Sequence, residues 1–262
     1  MRAAVFAALM ECDPATKLER VAALAAEGKI EELALDPGGE ALAVPNPGRP
    51  AKPLLVSPKQ LPRRGLGSEA GRVALIHAVA HIEFNAINLS LDAAYRFHNM
   101  PVEYYRDWIR VAADEARHFQ MLQTRLRSLG HDYGDFDAHN GLWEMAVKTT
   151  HDVLVRMALV PRVLEARGLD VTPGMIQRLQ QAGDTETVEI LAVILEEEIP
   201  HVGIGSHWFR YCCEQRGIEP DGCFTALLQE YMGSGLKGPF NEAARLQAGF
   251  NRAEMAFLQK NT

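Results

Sequence analysis

The chain has 262 residues, 47% of them hydrophobic and 23% charged, enough to build a core without disulfides or structural zinc. The balance of 27 basic to 34 acidic residues leaves a net charge of -7, which argues against a general polyanion binder. Disorder, collagen and a transmembrane bundle are excluded as descriptions of the whole chain. Cys12, Cys212, Cys213 and Cys223 form no C-x-x-C pair, so a reduced, cytoplasmic chain is expected. The short apolar run over 3–10 is ended by Glu11 and reads as a buried helix rather than a leader. No apolar stretch of about 18 residues is found, so no membrane partner is expected.

In chain order, helices are predicted over 3–10 and 14–27, the second capped by Asp13 with Pro14 at its first position. A proline-rich arm follows, carrying Pro37, Pro45, Pro47, Pro50, Pro53, Pro58 and Pro62. Its apolar Leu54, Leu55 and Val56 predict that it wraps along the main body. Four long helices come next: 75–97, 102–129 stopped by Gly130, 142–167 stopped by Gly168, and one capped by Asp184 and running to Arg216. Thr172 is read as the cap of a short helix over 173–182. Beyond Gly217 lie a helix over 220–231, a turn with Gly233, Gly235 and Gly238, and a final helix from Phe240. Strand patterns are missing. The fold class is therefore all-α, a four-helix bundle over 70–216. Residues 1–69 form N-terminal helices and a wrapping arm packed on it, and 217–262 a C-terminal helical tail.

Each long helix carries an apolar stripe interrupted by an acid. The stripes contain Glu83; Glu115 with His118; Glu165; and Glu198 with His201, the last continuing through Gly205 and Phe209. A buried carboxylate is costly unless it is paired or binds a metal. Glu115-x-x-His118 and Glu198-x-x-His201 are the chain's two E-x-x-H matches, where about 0.8 is expected by chance from 22 Glu and 9 His. The three-residue step puts both side chains on one helix face. Glu83 precedes Glu115 by 32 residues and Glu165 precedes Glu198 by 33, the mark of a duplicated helix hairpin. Four carboxylates and two imidazoles suit two divalent first-row ions, iron first, manganese or a mixed Mn/Fe pair also fitting. Glu83, Glu115 and His118 are expected to serve one ion and Glu165, Glu198 and His201 the other, with Glu115 and Glu198 as bridges. No catalytic residue beyond these ligands and no organic cofactor site is read from the sequence.

These residues resemble the ferritin-like superfamily. Within it, the segment 70–216 is similar to the bacterial family called domain-of-unknown-function 455. The phrases that carry the likeness are Ala80-His81-Ile82-Glu83, Asp107-Trp108 with Glu115-Ala116-Arg117-His118-Phe119, Val160-Pro161 with Glu165-Ala166-Arg167-Gly168-Leu169-Asp170, and Glu198-Ile199-Pro200-His201-Val202. The superfamily implies a di-metal carboxylate site; the narrower family implies no particular activity. There is also a distant similarity to the di-iron tRNA hydroxylase branch. In the oxygen-activating branches an acid before E-x-x-H orients the histidine of the other half. Asp114 and Glu197 hold those positions, Glu197 departing from the commoner aspartate.

The functional expectation is an oxygen-activating oxidase or hydroxylase acting with dioxygen on an unidentified small-molecule substrate. It would need an electron donor if a hydroxylase, and would work as a monomer or homodimer. The alternatives are an iron or manganese storage or ferroxidase protein, and a tRNA-modifying hydroxylase using a basic patch at Arg63, Arg64 and Arg72, which the net charge disfavours. A metal-free reading pairs the acids with Arg117, Arg125 and Arg167 in a helical interaction protein. His77 and His81 share an i, i+4 face, but His81 is turned away from Glu83 and is read as outside the site. Pro161 and Pro200 bend their helices, either making room beside the metals or as plain kinks. Phe84, Phe119 and Trp208 are read as core or as the wall of a pocket.

Overall fold

The computed structural model describes residues 1–26, 30–35, 39, 41–62, 65–233 and 236–260. Pro37, Arg63, Arg64 and Gly235, singled out above, and the last residue of the helix predicted over 14–27 lie outside them. The fold is an all-α, helical bundle fold, consistent with a ferritin-like four-helix bundle. Among the described residues there is no strand, and one isolated bridge joins Leu55 to Ala138. The chain divides into two compact units, 1–147 with 182–190, and 148–181 with 191–262.

The first unit holds α1 (Arg2–Leu9), α2 (Pro14–Ala26), α3 (Glu31–Leu35), α4 (Glu69–Arg96), α5 (Val102–Ser128) and most of α6 (Gly141–Lys148). Asp13 caps α2 as predicted, accepting from the Thr16 N–H at 2.8 Å. Ser68 caps α4 through the Gly71 N–H. Asn99, at φ 59°, turns the chain between α4 and α5, which pack side by side as a hairpin. The arm is fastened to this unit. Val56 N–H donates to the Ala138 carbonyl at 2.8 Å, and Trp143 donates its indole N–H to the Pro45 carbonyl at 3.1 Å. Lys17 is buried and donates to the Ala8 and Leu9 carbonyls and, at 2.6 Å, to Asn88 Oδ1. It closes the free carbonyls at the end of α1 against α4.

One expectation is corrected on α4. An 18-residue window of this helix reaches a mean hydropathy of 1.2 with at most two charges, long and apolar enough to cross a membrane. Yet 78% of that window is buried inside the protein, so it is a core helix, apolar all round because it is covered all round.

The second unit holds α7 (Val153–Leu159), a π-helical turn (Val160–Glu165), α8 (Ala166–Gln181), most of α9 (Thr185–Gln215), α10 (Pro220–Met232), α11 (Glu242–Gln247) and α12 (Arg252–Lys260). The helix predicted over 142–167 is broken after Lys148 and restarts where Asp152 accepts from the Leu154 N–H at 2.8 Å. It then runs past Gly168 and Pro173, so Gly168 is no stop and the buried Thr172 is no cap. Pro173 cannot donate to the Leu169 carbonyl; the Asn241 side-chain amide donates to it instead, at 3.2 Å. The predicted last helix is likewise two. Gly249, at φ 84°, ends α11 with Phe250 N–H returning to the Arg245 carbonyl at 2.9 Å, and Asn251 and Glu254 cap α12 reciprocally. Buried Arg162 lies over the rings of Phe209, Phe224 and Phe250 and pairs with Glu254 at 2.5 Å.

Candidate metal centre

In the first unit, α4 presents Glu83 and α5 presents Glu115 and His118, one turn apart on the same face. All three are buried, with relative exposures of 4%, 1% and 0%. His118 donates from Nδ1 to Glu83 Oε2 at 3.1 Å and lies 3.5 Å from Glu115 Oε2. Each residue offers a ligand atom within 4.8 Å of the others. Burial, then the neighbouring Glu115, push the Glu83 carboxyl up to about 8. Burial opposes protonation of His118, but its bonds to Glu115 and Glu83 outweigh it and push the imidazole up to about 11. Glu83 and His118 thus both hold a proton near neutral pH, in a site built of three metal-ligating side chains. That donor set fits a divalent first-row ion, whose charge would take the place of those two protons. It is a buried Glu/His cluster able to chelate metal.

In the second unit, Glu165 ends the π-helical turn, and Glu198 and His201 lie one turn apart on α9. All three are buried, and His201 Nδ1 is 3.5 Å from Glu198 Oε1. Among the described residues this trio does not by itself bring three ligand atoms within 4.8 Å, as the first trio does. The difference in backbone accompanies it: Glu83 sits on regular helix, Glu165 on a π turn that begins Val160-Pro161.

The arginines of the metal-free reading are engaged with other acids. Arg125 binds Asp184 at 2.8 Å and Glu186 at 2.5 Å, and Arg167 lies 3.5 Å from Asp170. Arg117 reaches Asp114, which is half-buried on α5, at 3.5 Å. Glu197 is half-buried and Glu196 exposed. Arg72, from the expected basic patch, lies 3.7 Å from Asp184.

His77 and His81 face a loop. His81 Nε2–H donates to the His139 carbonyl at 3.0 Å, leaving Nδ1 to accept from the Tyr133 hydroxyl at 2.9 Å. His77 Nε2 accepts from the Gly134 N–H at 2.9 Å. Burial lowers both imidazoles to about 4 and raises the Tyr133 phenol. The Tyr133 ring lies 5.3 Å from Phe84 and 5.0 Å from Phe119, the residues that follow Glu83 and His118. Sequence reasoning passed over Tyr133 because its neighbours, Asp132, Gly134 and Asp135, mark only a polar loop.

A family model described as a protein of unknown function, DUF455, matches residues 10–256. The chain belongs to the DUF455 family. All six expected ligands fall inside the match. A relative from Haemophilus influenzae (strain ATCC 51907 / DSM 11121 / KW20 / Rd), named "Uncharacterized protein", is 50% identical over 216 residues, covering 80% of this chain and 75% of its own. No solved structure matches.

Proposed function

We propose that this DUF455 chain is a di-metal carboxylate protein of the ferritin-like superfamily and an oxygen-activating oxidoreductase. The buried trio Glu83, Glu115 and His118 carries the reading. Glu83, Glu115 and His118 would hold one ion, and Glu165, Glu198 and His201 would hold the other. Iron is the first choice of ion, with manganese or a mixed pair fitting the same donors. Bound iron would supply the reduction of dioxygen. The chain's own part is to hold the ions, neutralise them with carboxylates and keep water out of the buried site. Asp114 and Glu197 are proposed to orient the histidines from outside. An electron donor and a small organic substrate complete the proposal.

Elemental analysis of protein purified without chelator or histidine tag tests it. About two iron or manganese ions per chain is the expected result, followed by oxidation of the reduced, iron-loaded protein by dioxygen. No metal, even after anaerobic iron addition, would overturn the metal reading. Metal that oxygen fails to oxidise would overturn the oxidoreductase. Oxygen consumption that drives only iron uptake would turn it into a ferroxidase.

A further inference from the structure

Gly205 lies on α9 one turn beyond His201, on the stripe that carries Glu198 and His201, and is buried. A Cβ built on it would lie 2.4 Å from both Cβ and Cγ of Pro161. Pro161 is the second residue of the π-helical turn whose last residue is Glu165. The ring therefore sits in the space a side chain would occupy, and the bare backbone of α9 is the seat of the turn. A π turn holds an extra residue within the helix, so its ending sets the direction in which Glu165 leaves the backbone. Gly203, two residues earlier on the same helix, has nothing nearer than 4.0 Å to its added Cβ. The close approach thus belongs to Gly205 and not to a generally tight helix.

The first trio lies ready within 4.8 Å while the second does not assemble by itself. We propose that Gly205 and Pro161 are positioning residues for Glu165, and that the two metal ions load in order. The Glu83, Glu115 and His118 half takes the first ion. The half at Glu165, Glu198 and His201 takes the second, more weakly, with an affinity set by the seating of Pro161 on Gly205. The inference rests on the di-metal reading.

The test titrates metal-free full-length protein with manganese(II), counting unbound ion by its electron paramagnetic resonance. Far-UV circular dichroism and Tm are recorded on the same samples. Wild type is expected to show two binding events whose Kd values differ at least ~10-fold. Gly205→Ala must push the turn away by about 1 Å to reach ordinary contact. It is expected to weaken the second event ~10-fold or more and spare the first. Gly203→Ala adds the same methyl without a clash and should bind as wild type. Pro161→Ala restores a backbone donor and lets the turn relax to regular helix, so it should raise Tm while weakening the second event. A purely structural proline would not part those two readouts, and this variant decides the matter if Gly205→Ala fails to fold. Glu83→Gln should abolish the tight event and Glu165→Gln only the weak one. Wild type that binds no manganese would sink the di-metal reading itself. Two indistinguishable events, or Gly205→Ala and Pro161→Ala that both bind as wild type, would overturn this inference and leave that reading standing.

Discussion

Glu83 illustrates what a buried acid does to its surroundings. It and Glu115 confront one imidazolium in a site closed to water. Burial and Glu115 hold Glu83 up at about 8, so near neutral pH it must take up a proton to fold, and Gln need not. Glu83→Gln is therefore expected to raise the stability of the metal-free protein, by about 1 kcal/mol in urea unfolding, while losing metal. A structural ion pair would give the opposite sign, a loss of about 3 kcal/mol for the broken pair. His77 supplies a second prediction. Its imidazole is lowered to about 4 by burial, against 6.5 in the unfolded chain, with Asp135 nearby acting the other way. The unfolded state binds the extra proton between these values, so this contribution to stability is complete above about pH 6.5 and is lost as pH falls to 4. It amounts to at most about 3 kcal/mol. His77→Gln keeps an acceptor for the Gly134 N–H and is expected to flatten the fall in unfolding free energy over that window. An unchanged slope would place the acid sensitivity elsewhere.

Among the elements, α7 shows where local rules compete. Thr149-Thr150-His151-Asp152 interrupts a run that is otherwise apolar with helical period, and the cap at Asp152 wins over continuation. Arg216 of α9 clamps the same carboxylate at 2.6 and 2.7 Å. Burial raises the Asp152 pKa, but the Arg216 pair and the Leu154 N–H outweigh it and hold the carboxyl below its ordinary value. Asp152→Ala is expected to cost about 1–2 kcal/mol, mostly the cap, because the pair is partly exposed. Asp152→Asn keeps the acceptor and should cost less than half of that; equal losses in thermal unfolding would assign the effect to the ion pair. The four-helix pattern and the burial of Glu83, Glu115, His118, Glu198 and His201 were legible because these residues keep the 3.6-residue period of their helices. The split at residue 149, the π turn and the passage through Pro173 were not. The first turns on the local cap at Asp152, while the other two have partners remote in sequence: bare Gly205 beside Pro161, and Asn241 for the Leu169 carbonyl. Composition alone hides such partners. The helix expected from Phe240 ran on through the reciprocal cap of Asn251 and Glu254, which was not read from the sequence.

For the molecule as a whole, the buried acids set folding against function. A chain of net charge -7 that encloses acids in its core is expected to give up stability when metal-free and to regain it on binding a cation. An ion that binds only the native state stabilises by RT ln(1 + [L]/Kd), about 2.7 kcal/mol at 100 times Kd. At roughly 2–4 °C per kcal/mol for a chain near this size, saturation by one ion is expected to raise Tm by about 5–10 °C. The rise should follow the logarithm of free manganese or iron(II) concentration, reverse on adding a chelator, and be absent with magnesium, which keeps its waters and prefers oxygen donors to an imidazole. Glu115→Gln should remove most of it, because Glu115 belongs to the ready-formed trio and is one of the two carboxylates expected to bridge. Scanning calorimetry of wild type and Glu115→Gln across a metal series checks this. A Tm indifferent to manganese and iron in wild type would mean that the interior acids are held by the protein alone, and that the Glu/His cluster is a cost of the fold with no cation to offset it.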